Sequence, residues 1–398
     1  MNFKRLLQVY YTRNSIFAFI LIISIGLTLM SFSGCQGHEK VIKIGNQAAL
    51  SGEDKFFGED QLISLSLAVS ELSPVKIGGF DYKISLVSKD DGGNAEKAFL
   101  VAQELVEENV SAVIGSTFNG TTKASIPVYS EYNIPIISPS AQGLELSRGS
   151  SNFFRVIMNN QQKIENIANF LKDNFSPKKL ILIDNGEDYS VKLIDSLIEV
   201  FGEFKINYLK RYSVKADPEQ YKILAENLLI DEPDLIFVCA EYNQLADLIM
   251  TVRKVGLQTQ FITEELGMNE GISLLTDKQY LEGLIAVIPE PPSLAKYTED
   301  KKAIEFWRKY TDFAVKMKDK SISREGPGPY APYSYDAFYL IIEAMKRANS
   351  IMPEDYLEEL KKSSYDGVVG HIEFNSNGDR VNPLSTAFMI KNGDWVRY

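Results

Sequence analysis

Histidine and cysteine are both scarce in this 398-residue chain, which contains two of each. Because the only histidines are His38 and His371, a Ser-His-Asp or Cys-His mechanism has almost no candidate base. No cluster of histidine and cysteine has the spacing of a metal site, and neither a Walker loop nor a dinucleotide-binding glycine fingerprint is present. The sequence therefore predicts no enzyme, no resident metal and no cofactor.

Positive charge is also in short supply, since 42 basic residues stand against 53 acidic ones and give a formal net charge of −11. Nucleic-acid binding needs a basic face, so nucleic acid is excluded as a partner. The hydrophobic content of 45% is normal for a globular protein, and the length leaves room for two or more domains.

Two acidic motifs have simple structural explanations. Asp90-Asp91 precedes two glycines. Adjacent acids in this position are typical of turns and of helix N-termini, so this interpretation is preferred to a metal site or an acid–base pair. Asn375–Asp379 resembles a calcium loop but lacks the closing glutamate, which favours a hairpin turn.

The amino terminus has the layout of a secretory signal. Basic residues precede the uncharged apolar run Ile16–Met30, which is short for a membrane span, and small residues then lead to Cys35. This end resembles a bacterial lipobox, although Phe32 stands where leucine is preferred. The prediction is a signal peptide over residues 1–34, lipidation at Cys35 and a membrane-anchored tether over residues 35–40. The alternative is an uncleaved signal anchor. Cys239 lies in an apolar run and is interpreted as a small buried hydrophobe.

Strand-like and helix-like segments alternate along most of the chain, which predicts an α/β fold with parallel sheets. Residues 51–60 are predicted as a loop before a helix over Gln61–Leu72. After Asn159 the alternation begins afresh, and a second doubly wound unit is predicted. From Leu284 onward, the sequence alone suggests a third small domain. Further predicted strands and helices include Val41–Asn46, Tyr82–Ser88, Ala95–Glu108, Gln162–Phe175, Leu180–Asp184 and Gln260–Thr263.

The stretch Val110–Leu146 contains two apolar strands, each followed by a polar loop, GSTFNGTT and SPSAQG. Loops at the carboxyl ends of neighbouring parallel strands meet over one crevice. Their hydroxyls, amides and backbone N–H groups can hold a small anion such as a carboxylate. The alternative is that they are ordinary helix caps and turns.

The order of IKIGNQAALSGEDKFFGED, DDGGNAEKA, the two polar loops and YAPYSYDAF resembles the Leu/Ile/Val-binding type of periplasmic amino-acid-binding proteins, the type I solute-binding proteins of ABC importers. The resemblance extends over nearly the whole chain after the signal. It implies two doubly wound, Rossmann-like lobes joined by a three-segment hinge near Asn159, Ile288 and Gly370. Lobe 1 would comprise residues 41–159 and 289–370, and lobe 2 residues 160–288 and 371–398.

The resemblance also implies the site residues. The ammonium group of the ligand would bind Glu265, which follows the Thr259-Gln260-Phe261 register. Glu241 stands where relatives often have an aromatic residue, so it would accept a further donor of the ligand or point to solvent. The aromatic walls would be Phe57, Tyr189 and Tyr330. The ligand carboxylate would be held by Asn119, Gly120, Thr121, Ser140, Ala141 and Gln142, with Asn119 and Gln142 departing from the hydroxyl residues usual in the family.

The resulting functional hypothesis is an exported lipoprotein, on the periplasmic or extracellular side, that captures a small amino-acid-like solute and delivers it to the permease of an ABC importer. One alternative is a sensory or regulatory module that binds a ligand without transport. Others are a binder of an amide or another non-amino-acid solute, and an enzyme using Asp90, Glu241 or Glu265 as acid or base.

Overall fold

A computed structural model describes residues 39–269, 271–289, 299–317 and 326–398. The predicted signal peptide and Cys35 lie outside the described residues. Within these ranges, no helix has the length and apolar character needed to cross a membrane. In the same ranges, no group of three or more histidine, cysteine, aspartate or glutamate side chains is arranged to hold a metal ion.

The first sheet has six strands in the order β2-β3-β1-β4-β5-β6, and all pairings except β2 with β3 are parallel. The short strands β4, β5 and β6 are buried along their whole length. Asn94 caps the second helix by accepting the N–H of Lys97. The elements are β1 (Val41–Ala48), α1 (Lys55–Leu72), β2 (Val75–Ile77), β3 (Phe80–Asp90), α2 (Ala95–Glu107), β4 (Ala112–Ile114), α3 (Asn119–Glu131), β5 (Ile136–Ser138) and β6 (Phe153–Arg155).

The second sheet has seven strands in the order β15-β14-β11-β10-β9-β7-β8. Strands β7 to β11 pair in parallel, and an antiparallel hairpin from the carboxyl terminus, β14 and β15, completes one edge. The elements are α4 (Asn160–Asn174), β7 (Leu180–Asp184), α5 (Asp188–Phe204), β8 (Tyr208–Ser213), α6 (Pro218–Asp231), β9 (Leu235–Cys239), α7 (Tyr242–Lys254), β10 (Gln260–Thr263), α8 (Ile272–Leu275), α9 (Lys278–Leu281), β11 (Ile285–Pro289), β14 (Ser385–Lys391) and β15 (Asp394–Arg397).

The described residues between β11 and β14 pack on the first sheet. Phe338 and Ile341 share a buried core with Ile42 and Ile44 of β1. The third small domain suggested by the sequence alone is therefore wrong for the described residues, because apolar side chains of this segment share one buried core with the first sheet. Its elements are α10 (Lys301–Lys316), α11 (Ala331–Ala348), α12 (Pro353–Lys361), β12 (Ser364–Gly367) and β13 (Gly370–Glu373).

Buried Arg380 joins two of the segments that run between the sheets. Its guanidinium donates to the carbonyls of Val156 at 3.1 Å and Val369 at 2.6 Å. The Gln162 side chain in turn donates to the carbonyl of Arg380 at 2.7 Å. These bonds hold the start of α4 against the segment that contains Arg380. The lobe boundaries themselves stay a prediction.

The first helix begins at Lys55, six residues before the predicted start at Gln61, so the predicted loop over residues 51–60 is wrong in its second half. The early start of this helix depends on Gly58, because a Cβ at this position would lie 2.0 Å from the carbonyl oxygen of Ala49. Glycine thus lets the first turn of the helix lie directly against the end of β1.

Asn375–Asp379 forms the predicted turn, with Gly378 N–H donating to the Asn375 carbonyl at 3.0 Å.

Candidate functional site

A cavity of about 570 Å³ opens between the two sheets at the carboxyl ends of several strands. One side is formed by the start of α1 and of α11, and the other by the loops after β9 and β10. The lining residues are Asp54, Phe56, Phe57, Ile157, Glu241, Tyr242, Glu265, Leu266, Met268, Asn269, Ile288, Pro289, Pro329, Tyr330 and Tyr333. The cavity is thus mainly aromatic and aliphatic, with a few acidic groups.

Glu264 and Glu265 follow β10 directly, and only Glu265 lines the cavity. Glu264 is completely buried, and its Oε1 accepts the N–H of Leu266 at 3.1 Å, which closes a short helical turn. The Glu265 side chain keeps 33% of its surface exposed. The turn therefore points the two carboxylates in different directions, one into the protein and one toward the cavity.

Lys163, in the first turn of α4, is buried between these two carboxylates. Its Nζ lies 2.8 Å from Glu264 Oε2, 3.2 Å from Glu265 Oε1 and 2.5 Å from the hydroxyl of Tyr189. Tyr189 also donates to Glu264 Oε2 at 3.1 Å. All three donors of the ammonium group are thereby used. Burial would lower the pKa of Lys163, but the charges of Glu264 and Glu265 raise it well above its usual value.

This cluster carries two carboxylates and one ammonium group, so one negative charge is left over. Burial raises the pKa of Glu265, against the opposing effect of Lys163, and the charge of Glu264 raises it further. A cationic group in the cavity would relieve this repulsion and favour the ionised carboxylate.

Cys239, at the end of β9, lies beside the same cluster. Its Sγ is 3.6 Å from Glu264 Oε1, and burial together with that neighbouring charge raises the pKa of the thiol. It is fully buried, as the sequence predicts. A thiol in this state is a packing residue rather than a nucleophile.

The opposite side of the cavity is aromatic. The rings of Phe57 and Tyr330 lie 5.4 Å apart in a tilted arrangement, and Tyr333 continues this surface along α11. Burial and the charge of Glu265 raise the pKa of Tyr330, so its hydroxyl stays protonated. Glu265 and Tyr330 line the same cavity, so the acid and the aromatic wall are both available to one ligand.

Asn119 holds the polar loop after β5. Its Oδ1 accepts the backbone N–H groups of Gln142 at 2.9 Å and Gly143 at 3.0 Å. The N–H of Gln142 is a donor that the sequence assigns to a ligand carboxylate, and here it is satisfied within the protein. Arg155 fixes the other side of the loop by donating to the carbonyls of Ala141 and Gly143.

The hydroxyl groups in these loops also have internal partners. Ser140 Oγ donates to the Thr117 carbonyl at 2.7 Å, and Thr121 Oγ1 donates to the Phe118 carbonyl at 3.0 Å. Gly120 is exposed at the first turn of α3. In this structure these hydroxyl groups therefore form bonds within the loops, which is the alternative of caps and turns that the sequence leaves open.

Four of the residues assigned from the sequence line the cavity together, namely Phe57, Glu241, Glu265 and Tyr330. Tyr189 does not line the cavity but is connected to Glu265 through Lys163. The other assigned residues do not line the cavity but form the hydrogen-bonded loops of the first sheet: Asn119, Gly120, Thr121, Ser140, Ala141 and Gln142.

Sequence reasoning missed Lys163 and the burial of Glu264. A single lysine in a predicted helix does not indicate a buried ion cluster, because its carboxylate partners are about a hundred residues away along the chain.

The comparisons with known proteins agree with this architecture. A family model described as periplasmic binding protein matches residues 41–394. The leucine-specific-binding protein of Salmonella typhimurium is 23% identical over 339 residues, covering 85% of this chain and 88% of that protein. The Leu/Ile/Val-binding protein of Escherichia coli K12 is 21% identical over the same shares of the two chains. A solved ABC transporter substrate-binding protein from Desulfitobacterium hafniense, in complex with Leu, is 20% identical with a TM-score of 0.70, covering 90% of this chain and all of that one.

Two α/β lobes with a cavity between them define the type I periplasmic-binding-protein fold. The chain belongs to the periplasmic binding protein family, because the family model extends over most of its length. The family resemblance and the two-lobed fold predicted from the sequence are therefore confirmed. The prediction of a binding protein rather than an enzyme is confirmed in the same way, since the matched relatives are binding proteins.

Proposed function

We propose that this protein is an extracytoplasmic solute-binding lipoprotein that captures a small amino-acid-like solute in the cavity and delivers it to the permease of an ABC importer. The observation that carries this proposal is that Glu265 and the aromatic residues Phe57 and Tyr330 line one cavity between the lobes. The named specificities of the relatives, for leucine or for leucine, isoleucine and valine, support the same class of ligand.

The chemistry of the cavity suits an amine attached to an apolar body. An ammonium group placed at Glu265 would compensate the negative charge that Lys163 leaves unbalanced. The aliphatic part of the ligand would pack against Phe57 and Tyr330, and removal of that apolar surface from water contributes about 25 cal/mol per Å². Closure of the lobes around the hinge would engage both walls at once and so couple binding to a change of shape.

Isothermal titration of the purified protein with the twenty amino acids and simple amides tests this proposal. We expect at least one amine-bearing ligand to bind with micromolar affinity. Glu265→Gln removes the charge with little change in shape and should weaken that binding at least about tenfold, or about 1.4 kcal/mol.

Glu226→Gln is the matched control, because Glu226 is exposed on α6 and does not line the cavity. It should leave the affinity unchanged. Equal affinities for the wild type and both variants would remove Glu265 from its role. If none of the compounds in the panel binds, the proposed function is refuted.

The location outside the cytoplasm and the lipid anchor are supported by the sequence pattern that ends at Cys35. Lipidation there would place the anchor a few residues before β1, which begins at Val41. Such a tether would keep the protein at the membrane beside its importer while leaving both lobes free to close.

A further inference from the structure

The charged residues that line the cavity are all acidic among the described residues. They are Asp54 at the entrance to α1, Glu241 at the N-terminus of α7 and Glu265 after β10. No lysine or arginine of the described chain lines the same surface. The cavity is therefore a site of negative potential with apolar walls, where charges act over short distances with little screening.

Glu241 has no counter-charge in the described part of the chain. None of its carboxylate atoms takes part in a salt bridge, and its side chain does not cap the helix that it precedes. Lys163, which pairs with Glu265, is 3% exposed and directs its donors to Tyr189, Glu264 and Glu265. Glu241 is thus a second acidic group of the cavity, separate from Glu265 and without a partner of its own.

A ligand with only one ammonium group would leave this second carboxylate uncompensated. Closure of the lobes would remove water from Glu241, and burial of an unpaired charge is unfavourable. Burial and the neighbouring charge of Glu264 already raise the pKa of Glu241 in the present conformation. A cationic nitrogen on the ligand would remove that penalty, whereas a branched aliphatic side chain would not.

The rest of the lining suits the stem of such a ligand. Tyr242 directly follows Glu241, and Tyr330 and Phe57 face the cavity from the other lobe. Aromatic faces pack against methylene groups and also attract alkylammonium groups.

We infer that the solute carries two cationic nitrogens separated by a short aliphatic stem, as in a basic amino acid or an alkyl diamine, with one nitrogen at Glu265 and the second at Glu241. The inference rests on the proposed function, since it names the ligand class of the same cavity. It distinguishes this chain from a protein that selects leucine by apolar contacts alone.

A matched series of three ligands tests the inference with the purified protein. Lysine has both amines and a carboxylate, norleucine lacks the terminal amine of lysine, and 1,5-diaminopentane lacks the carboxylate. We expect lysine and the diamine each to bind at least about tenfold more tightly than norleucine, because each pairs the Glu241 carboxylate that norleucine leaves alone. Raising the ionic strength should weaken the diamine more than norleucine.

Variants connect the selectivity to a residue. Glu241→Gln should reduce the lysine-to-norleucine affinity ratio to about one, while Glu265→Gln should weaken both ligands and Glu226→Gln should change neither. A thermal melt of each variant checks that the fold is retained.

Two results would overturn the inference. Norleucine or leucine binding as tightly as lysine would refute the second cationic position, while the proposed capture of amino acids would stand. A failure of all three ligands and of the twenty amino acids would refute the inference and the proposed function together.

Discussion

Replacement of Lys163 by methionine tests the buried ion cluster most sharply. Methionine keeps much of the length and volume of lysine but removes its charge. Glu264, which is completely buried, would then lose the cation 2.8 Å from its Oε2. The N–H of Leu266, the hydroxyl of Tyr189 and the thiol of Cys239 would remain as its donors. Three neutral donors do not compensate a buried carboxylate as an ammonium group does.

The expected loss of folding stability follows from this geometry. Removing one partner of a buried ion pair typically costs about 3–5 kcal/mol, because the other charge stays buried without compensation. Glu265 adds to the effect, since it lies 3.2 Å from the same ammonium and would then face Glu264 without a cation between them. We therefore expect Lys163→Met at pH 7 to lose stability at the upper part of that range.

Urea unfolding followed by fluorescence measures this loss. Trp395 is buried in β15 of the same sheet and donates to the carbonyl of Asn269 at 3.1 Å, so it reports on the lobe that contains the cluster. Lys192→Met is the matched control. Its partner Asp188 lies 2.7 Å away on the same helix, but both side chains are exposed, and such pairs contribute about 0.5 kcal/mol or less.

The double variant Lys163→Met/Glu264→Gln separates the charge effect from a packing defect. Removal of both charges should restore most of the lost stability, because the one charge then left without Lys163 is Glu265, whose side chain is 33% exposed. Equal losses for Lys163→Met and Lys192→Met would refute the reasoning. So would a double variant that is no more stable than Lys163→Met.

Two further predictions concern the anchor and the first helix. Cys35→Ser should abolish incorporation of labelled lipid and move the protein out of the membrane fraction, and a serine variant that still carries lipid would contradict the assignment. Gly58→Ala should lower stability by at least about 2 kcal/mol, because its Cβ would lie 2.0 Å from the carbonyl oxygen of Ala49. Gly202→Ala, in a helix with open space around the glycine, should instead raise stability by about 0.5–1 kcal/mol, and urea unfolding that ranks the two variants the other way would refute the packing argument.

Much of the fold is predictable from the sequence because its signals are local. The apolar runs Leu180–Asp184 and Gln260–Thr263 are strands at those residues, and Asn94 caps the helix that it precedes. The start of α1 is not predictable in this way. Lys55-Phe56-Phe57 becomes helical because Gly58 permits contact with Ala49, and this contact depends on the tertiary arrangement.

The candidate site, like the fold, is predictable from the sequence only in part. Glu265, Phe57 and Tyr330 can be placed from the order of family motifs, and they line one cavity. The partners of Lys163 cannot be placed, since they become neighbours only when the start of α4 packs beside the end of β10. Asn119 shows a related limit: its residue type predicts a hydrogen-bonding group, but only the fold shows that its Oδ1 is occupied by the N–H of Gln142.

A crystal structure with the tightest ligand of the titration panel tests the central claim most directly. The account predicts a ligand nitrogen about 3 Å from a carboxylate oxygen of Glu265, with the ligand body against Tyr330 and both lobes in contact with it. A ligand bound outside this cavity, or one inside it whose nitrogen avoids Glu265 while Lys163 alone pairs with that carboxylate, would contradict the account.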